Sequence, residues 1–147
     1  MRHWLFKSEP ETWSWDDQVA KGEAGEMWDG IRNYQARNNM RAMQLGDLGF
    51  FYHSVKEKRV MGVVEVIALS APDPTTDDAR WDCVTVKALG AFPQPVTLDQ
   101  AKADARLKDM ILVNNTRLSV QPVMAEEWAV ICDLGGYDGP GAPSSKA

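Results

Sequence analysis

Two apolar segments in the middle of the chain constrain its fold more than any other feature. Residues 48–54 (LGFFYHS) and 60–69 (VMGVVEVIAL) are rich in the β-branched and aromatic residues that favour strands. Only the short basic segment 55–59 separates them, so we expect a β hairpin. Because no strand–helix–strand alternation recurs along the chain, we do not expect a parallel doubly wound sheet.

The rest of the chain shows shorter strand and helix patterns. Further strands are predicted at residues 3–7, 81–89 and 117–123, helices at 14–20, 33–43, 97–105 and 124–134, and loops at 21–30 and 70–80, while 107–113 fits either a strand or a helix. Ser14 with Asp17, and Thr97 with Gln100, have the spacing of helix N-caps. This order predicts an α+β fold, with a small, mixed or mostly antiparallel barrel-like sheet of five to six strands and helices packed outside it.

The length of 147 residues corresponds to one domain. We assign residues 1–135 to this domain. Residues 136–147 are rich in Gly, Pro and Ser, and we expect them to form a C-terminal tail.

Charge is distributed unevenly along the chain. The net charge of −5 argues against a protein that coats nucleic acid without specificity, because such binding depends on neutralising many phosphates. Residues 28–59, however, contain six basic and three acidic side chains, a local charge of +3, which leaves −8 for the remainder. The acidic total therefore conceals a basic third of the chain, and we expect few phosphate contacts there.

The densest group of chemically versatile residues is the segment 28–41 (WDGIRNYQARNNMR). Its aromatic rings are suited to stacking on unpaired bases, its amides to pairing with base edges and its arginines to binding phosphate. An ordinary solvated helix with a capping asparagine would have a similar composition, so the residues alone leave both interpretations open. Trp28 lies in a Gly-rich loop, and we expect its ring to be an exposed stacking platform, whereas the other five tryptophans are expected to pack.

Two strand ends carry further candidate side chains. Lys7, Ser8 and Glu9 follow the first strand, where they would bind an anion or a polar ring, or serve only as routine polar residues at a strand end. His53 and Ser54 end the strand 48–54. As neighbours on a strand they point to opposite faces, so they are not expected to act together as a base and a nucleophile.

Several classes of protein are disfavoured. The sequence has neither of the glycine-rich phosphate-binding motifs and no nucleophile elbow, so we predict no catalytic residues and no cofactor. Cys83 and Cys132 lack metal-like spacing, and we predict no metal site. No segment has the length and apolar character of a membrane span, and the first residues do not resemble an export signal, so we expect a cytoplasmic protein. These features favour a binding module over an enzyme.

Four longer motifs resemble those of the EVE domain family. They are WLFKSEPETWSWDD, WDGIRNYQARNNMRAMQLGDLGFFYHS, APDPTTDD and RLSVQPVMAEEW, and together they extend the resemblance over nearly the whole chain. The resemblance implies a PUA-like fold, a pseudo-barrel with flanking helices that is related to YTH and ASCH domains. It also implies a partner, DNA or RNA that carries a modified base, such as a methylated or related cytosine.

The resemblance further implies roles for individual residues. Trp28 would stack on a base that is flipped into an aromatic pocket, and the rest of the pocket would be formed by Lys7, Ser8, Glu9, Asn33, Tyr34, His53 and Ser54. Backbone phosphates would be bound by Arg32, Arg37, Arg117, Lys56, Lys58 and Arg59.

Two other functions stay open. One is a small amidohydrolase for modified nucleosides, as in some ASCH relatives, with Lys7 and Glu9 as base and acid and Ser8 as a further participant. The other is an adaptor protein without a ligand.

Overall fold

Six strands form one sheet in the computed structural model, which describes residues 2–115 and 117–143. They are β1 (His3–Ser8), β2 (Glu26–Met27), β3 (Leu48–His53), β4 (Arg59–Pro72), β5 (Asp82–Thr97) and β6 (Val120–Val123). The sheet order is β2-β5-β4-β3-β1-β6, in which β1 and β3 are parallel and every other neighbouring pair is antiparallel. The predicted mixed sheet of five to six strands is therefore confirmed.

Five α-helices accompany the sheet in this described part of the chain. They are α1 (Trp15–Ala20), α2 (Tyr34–Ala42), α3 (Leu98–Ala103), α4 (Ile111–Asn114) and α5 (Ala125–Leu134). Both predicted N-caps are present, because Ser14 with Asp17, and Thr97 with Gln100, form reciprocal capping boxes at α1 and α3. Asn33, the first residue of the predicted helix 33–43, is the N-cap of α2. These side chains satisfy backbone amides that a helix leaves without partners in its first turn.

The predicted hairpin is formed by β3 and β4. The two strands pair antiparallel from Leu48 opposite Glu65 to His53 opposite Arg59. The turn between them includes Val55 (φ 68°) and Lys58 (φ 48°), both in the left-handed region that non-glycine residues seldom adopt.

Irregular pairing allows the sheet to curl. The long strands β4 and β5 change register at four places, and β-bulges of this kind bend a strand and increase its twist. The sheet does not close, since the order of paired strands runs from β2 at one edge to β6 at the other within the described residues.

Several predicted boundaries are wrong: β4 continues to Pro72, into the predicted loop 70–80, β6 begins only at Val120, and two further regions differ more. The predicted loop 21–30 contains a 3₁₀ turn (Gly22–Ala24) and the two-residue strand β2, which is too short to show a period in the sequence. The strand predicted at 81–89 continues to residue 97, although Pro93 and Pro95 interrupt its pattern. These prolines are tolerated because β2 pairs with β5 only at residues 85–86, which leaves one side of the later segment without a neighbouring strand.

Alternate residues of each strand pack into two cores. On β1, Leu5 belongs to a core that includes α5, whereas Trp4 and Phe6 belong to a second core that includes α1 and α2. Both cores are apolar and almost fully buried, as the period-2 pattern of a covered sheet requires. The ends of the strands are consequently held in fixed positions from both faces.

The segment after α5 packs on the body of the protein as far as Ala142. Tyr137 is buried and its hydroxyl donates to the carbonyl of Pro140. Nε1 of Trp128 donates to the carbonyl of Gly141 at 3.0 Å. Residues 144–147 of the predicted tail lie outside the described residues, and the domain boundary at 135 stays a prediction.

Candidate functional site

A cavity of about 330 Å³ opens between the end of β1 and the segment that contains β2. Its lining residues are Lys7, Ser8, Thr12, Trp13, Glu26, Met27, Trp28, Asp29 and Ile31. The volume lies at the lower end of the range of about 300–1,000 Å³ that is typical of small-molecule pockets, so one planar ring system would fill much of it. Three strands separate β1 from β2 in the sheet, and only the curl of the sheet brings them to one cavity.

Trp28 forms one wall of this cavity. Its backbone amide donates to the carbonyl of Val84 at 2.8 Å, and its ring packs edge-on against Phe6 and Phe51. Only 7% of the residue is exposed, so the prediction of an exposed platform is wrong. The ring is buried because it completes the apolar core below the cavity, and its cavity-lining surface is fixed by that packing.

Trp13, which was predicted only to pack, forms a second aromatic wall of the cavity. It is partly buried, and its Nε1 donates to Oε1 of Gln18 at 2.9 Å. Trp13 lies between the strand end and the cap of α1, outside both elements. A large aromatic residue in such a position was the available sequence signal for a role in a binding site.

Ser8 forms two hydrogen bonds that hold the cavity wall in place. Its hydroxyl donates to the carbonyl of Trp13 at 2.5 Å, and its own carbonyl accepts from the amide of Ser54 at 2.9 Å. With its hydroxyl proton used in this way, Oγ of Ser8 is left to act as an acceptor towards a ligand.

Lys7 supplies the positive charge of the cavity. Burial lowers the pKa of its ammonium group from the ordinary value to about 8. The ammonium also lies 6.0 Å from the ring centroid of Tyr52, within the range of a cation–π contact. Lys7 is therefore mostly protonated at neutral pH, and it is a donor beside a partly apolar cavity.

Two carboxylates that were not predicted from the sequence, Glu26 and Asp29, line the cavity beside Trp28. Burial raises the pKa of Asp29, and the nearby negative charges of Asp73 and Glu26 raise it further. In their ionised form these groups only accept hydrogen bonds, so the cavity offers acceptors from one side and the donor of Lys7 from another.

Asp73 fixes the loop that contains these residues. Its Oδ2 accepts from the amide of Gly30 at 2.8 Å and from Nη1 of Arg32 at 3.1 Å, and its Oδ1 accepts from the amide of Thr75 at 2.8 Å. Although burial alone would raise the pKa of Asp73, these hydrogen bonds lower it to about 2. The loop after β2 is thus attached to the segment after β4 by a buried carboxylate.

Five of the eight residues predicted for the pocket do not line this cavity: Glu9, Asn33, Tyr34, His53 and Ser54. Glu9 is exposed and does not line the cavity. Asn33 uses its side-chain oxygen to cap α2. Tyr34 is half exposed and packs on Trp81, with its hydroxyl accepting from Arg80. Of the predicted pocket residues, the structure brings Lys7, Ser8 and Trp28 to the cavity.

His53 and Ser54 lie next to the site without lining it. β1 and β3 are in register so that Ser8 pairs with His53. The His53 ring is buried, with Nε2 accepting from the amide of Trp15 at 3.0 Å and Nδ1 lying 2.7 Å from Oε1 of Glu57. Since Nε2 accepts, Nδ1 carries the proton and donates to Glu57. Ser54 lines a different cavity.

Three of the six predicted phosphate-binding side chains are paired with carboxylates. Arg32 pairs with Asp73 at 3.1 Å, and Arg59 pairs with Glu57 at 3.3 Å. Lys56 pairs with Glu11. The other three, Arg37, Lys58 and Arg117, form no ion pair with the described residues. Those three are therefore the ones whose charge is most available to an anion.

Other classes of site find no support in residues 2–115 and 117–143. No three His, Cys, Asp or Glu side chains are grouped as a metal site would require, and no helix has the length and apolar character needed to cross a membrane. Cys83 and Cys132 are buried thiols, and burial raises their pKa to about 11 and about 12. Neither thiol is therefore activated as a nucleophile.

Comparison with known proteins adds a family and a fold. The family model described as "EVE domain" matches residues 2–134. Thymocyte nuclear protein 1 from Homo sapiens is 34% identical in sequence, over 90% of this chain and 73% of that protein. A crystal structure of the human protein in complex with 5-methylcytosine-containing DNA superposes with a TM-score of 0.86 at 32% identity, covering 94% of this chain and 99% of that one.

Two further solved structures are similar. A protein from Agrobacterium tumefaciens is 54% identical, with a TM-score of 0.94 over 99% of this chain and 100% of that one. The YTH domain of Zygosaccharomyces rouxii MRB1, solved with N6-methyladenosine RNA, is 20% identical, with a TM-score of 0.55 over 91% of this chain and 86% of that one. The second likeness concerns the fold alone, and it agrees with the predicted PUA-like architecture.

Proposed function

This chain belongs to the EVE domain family, and from that premise we propose that it is a non-enzymatic module that binds nucleic acid through a modified base. The base would be flipped out of its strand and held in the cavity between Trp13 and Trp28. The observation that carries the proposal is this cavity, which combines two fixed indole walls with a small set of polar groups. An extruded base exposes both faces for stacking and its whole pairing edge for hydrogen bonds.

The polar lining favours a base with an exocyclic amino group. Glu26 and Asp29 are acceptors for an amino N–H, as acidic side chains are for N4 of cytosine, and Lys7 is a donor for a ring nitrogen or carbonyl oxygen. Uracil and thymine present a carbonyl where cytosine presents its amino group, and they would place that oxygen against a carboxylate. The lining therefore suits cytosine or adenine derivatives.

We take 5-methylcytosine in DNA as the first ligand to test. The human relative was crystallised with DNA that contains this base, and its chain has the same fold at 32% identity. Met27 and Ile31 add apolar surface to the cavity, and the methyl group of the base would be buried against it. Burying one such group contributes about 0.8 kcal/mol, which corresponds to about fourfold in affinity.

The decisive experiment is equilibrium binding by fluorescence anisotropy to oligonucleotides that differ in one base. We expect the protein to bind the strand with 5-methylcytosine about fourfold more tightly than the unmodified strand. Trp13→Ala should weaken binding of the modified strand about 5- to 150-fold, since base–aromatic stacking contributes about 1–3 kcal/mol. Leu45→Ala, which truncates an exposed apolar side chain, is the matched control and should bind like the parent protein.

Two results would contradict the proposal. One is equal affinity for modified and unmodified strands across a panel of methylated cytosines and adenines. The other is turnover of acylated nucleosides that is lost in Lys7→Ala, which would favour the amidohydrolase alternative. The structure offers that alternative less support, because Glu9 does not line the cavity with Lys7.

A further inference from the structure

A second cavity, of about 210 Å³, shares Lys7 with the first cavity. Three lysines, Lys7, Lys58 and Lys102, line it together with Ser54 and Tyr52. No acidic side chain belongs to this lining among the residues that the structure describes. Three cations around one small cavity repel each other, and an anion between them would relieve that repulsion.

The backbone holds two of these lysines beside each other. The amide of Leu98, the first residue of α3, donates to the carbonyl of Lys58 at 2.8 Å. Lys102 lies four residues after Leu98 and so occupies the same face of α3. The left-handed conformations of Val55 and Lys58 shape the turn that carries Lys58 to this helix. The positions of Lys58 and Lys102 thus follow from fixed backbone.

Lys58 and Lys102 also differ from the basic residues near Lys58 in that they form no ion pair with the described residues. The nearest basic residues on either side of Lys58 in the sequence are Lys56 and Arg59, and both are paired with carboxylates. Within residues 2–115 and 117–143, neither Lys58 nor Lys102 has a carboxylate oxygen within 4.0 Å. Two acidic residues are near in sequence, but neither lines the cavity: Glu57 is paired with His53 and Arg59, and Asp99 lies on α3, where burial and its charge raise the pKa of Tyr52 to about 12.

We propose that the second cavity is a phosphate site, in which Lys58 and Lys102 bind the phosphodiester next to the base that occupies the first cavity. The inference rests on the proposed function, because it requires a base in the first cavity. Lys7 lines both cavities, so the base and the phosphate of one nucleotide could occupy them at the same time. A base in the first cavity and its neighbouring phosphate in the second would contact opposite sides of the same lysine. Phosphate contacts of this kind fix the register of a strand while the base pocket supplies the specificity.

The first test is the salt dependence of binding to an oligonucleotide with a single 5-methylcytosine. Lys58→Ala and Lys102→Ala should each weaken binding of modified and unmodified strands by the same factor. Each should also reduce the slope of log affinity against log salt by about 0.7 on a single strand or about 0.9 on a duplex. Lys108→Ala, an exposed lysine outside both cavities, should change neither quantity.

The second test places the phosphate. A neutral methylphosphonate replaces the linkage on the 5′ or the 3′ side of the methylated base. The parent protein should bind one of these two strands more weakly than the strand with normal linkages. The double variant Lys58→Ala/Lys102→Ala should bind that strand and the normal strand with equal affinity. The phosphate site is wrong if the parent protein is indifferent to both neutral linkages, or if the double variant is as sensitive as the parent.

The two proposals fail in different ways. Discrimination of the modified base without sensitivity to either neutral linkage overturns the phosphate site and leaves the base pocket standing. Sensitivity to one linkage that disappears in the double variant, without discrimination between bases, supports the phosphate site and contradicts the base pocket.

Discussion

A buried amide holds Trp13 in place: Oε1 of Gln18 accepts a hydrogen bond from Nε1 of the indole at 2.9 Å. The Gln18 side chain is inaccessible to solvent, and its Nε2 donates to the carbonyl of Val86 at 3.0 Å. One side chain therefore ties an aromatic wall of the cavity to β5. Fixing a ring before the ligand arrives reduces the entropy that binding would otherwise cost.

Gln18→Met should lower both stability and affinity. The substitution keeps the approximate length of the side chain but leaves the carbonyl of Val86 without its donor, which costs about 1–3 kcal/mol of the free energy of unfolding. Urea unfolding measures this loss. Affinity for a methylated oligonucleotide should fall as well, because the indole of Trp13 loses its orienting partner, and unchanged affinity in a folded Gln18→Met protein would show that Gln18 does not position the ring.

Trp28→Ala should destabilise the protein far more than Trp13→Ala. Trp28 is 7% exposed and packs against Phe6 and Phe51, so its truncation is expected to lower the free energy of unfolding by about 3–5 kcal/mol. Trp13 is only partly buried, so Trp13→Ala should lower the free energy of unfolding by less. Urea unfolding of both variants tests the order, and equal losses would contradict the expectation that Trp28 contributes more to the core than Trp13. Trp13 is therefore the better position at which to test base binding.

Some of the fold could be read from the sequence because its signals are local. The apolar segments of β3 and β4 extend over six residues or more, and the caps at Ser14, Asn33 and Thr97 lie within a few residues of the helices they begin. β2 has no such signal. Its two residues become a strand only because residues 85–86 of β5 lie beside them, and that contact depends on the whole sheet.

In the candidate site, too, local signals could be read from the sequence, whereas contacts between distant segments could not. Lys7 and Ser8 could be proposed from their place at a strand end, and Trp28 from its Gly-rich loop. Glu26 and Asp29 could not, because a carboxylate next to a loop is usually solvated and only the curl of the sheet brings β2 to the end of β1. The exposure of Trp28 was predicted wrongly for a related reason, since its partners Phe6 and Phe51 are distant in the sequence.

Asp73→Asn should loosen the loop after β2 and change how stability depends on pH. The folded pKa of Asp73, about 2, lies below its ordinary value of 3.8. A depressed carboxyl pKa contributes stability that is fully present above the ordinary value and is lost as pH falls through about 2. The unfolding free energies of Asp73→Asn and the parent protein should therefore differ most at pH 7 and converge below pH 4.

Urea unfolding at pH 7, 4 and 3 measures this convergence, with Asp109→Asn, an exposed carboxylate outside the helices, as the control that should follow the parent throughout. Hydrogen exchange of the Gly30 amide, which donates to Asp73, should be faster in Asp73→Asn. A difference between parent and Asp73→Asn that is constant from pH 7 to pH 3 would contradict the assigned role of the carboxylate.

Binding should weaken at alkaline pH because of Lys7. Its pKa is lowered to about 8, so the ammonium is charged at pH 6–7 and loses its proton as pH rises through about 8. If the charged form contacts the ligand, affinity should be constant below pH 7 and fall by up to about tenfold for each pH unit above 8. Anisotropy titrations at constant ionic strength measure the profile, and Lys7→Met should flatten it. A parent profile that is flat to pH 9.5 would remove Lys7 from the binding site.

Asp29→Asn should change which base the cavity prefers. The carboxylate only accepts hydrogen bonds when ionised, whereas an amide both accepts and donates, so the variant can pair with a carbonyl as well as with an amino group. We expect the parent protein to prefer 5-methylcytosine to thymine, which presents the same methyl group but a carbonyl in place of the amino group. In Asp29→Asn this preference should shrink by about 1–3 kcal/mol, the usual discrimination of one well-placed side-chain contact with a base.

Competition between oligonucleotides that differ only by 5-methylcytosine or thymine at one position measures this preference directly. Asp16→Asn, which changes an exposed carboxylate outside the cavity, should leave the preference unchanged. Because burial and the charges of Asp73 and Glu26 raise the pKa of Asp29, removing its charge is not expected to destabilise the fold. A variant that folds normally and keeps the parent's full preference would show that the amino group is read elsewhere, and Glu26→Gln would be the next substitution to measure.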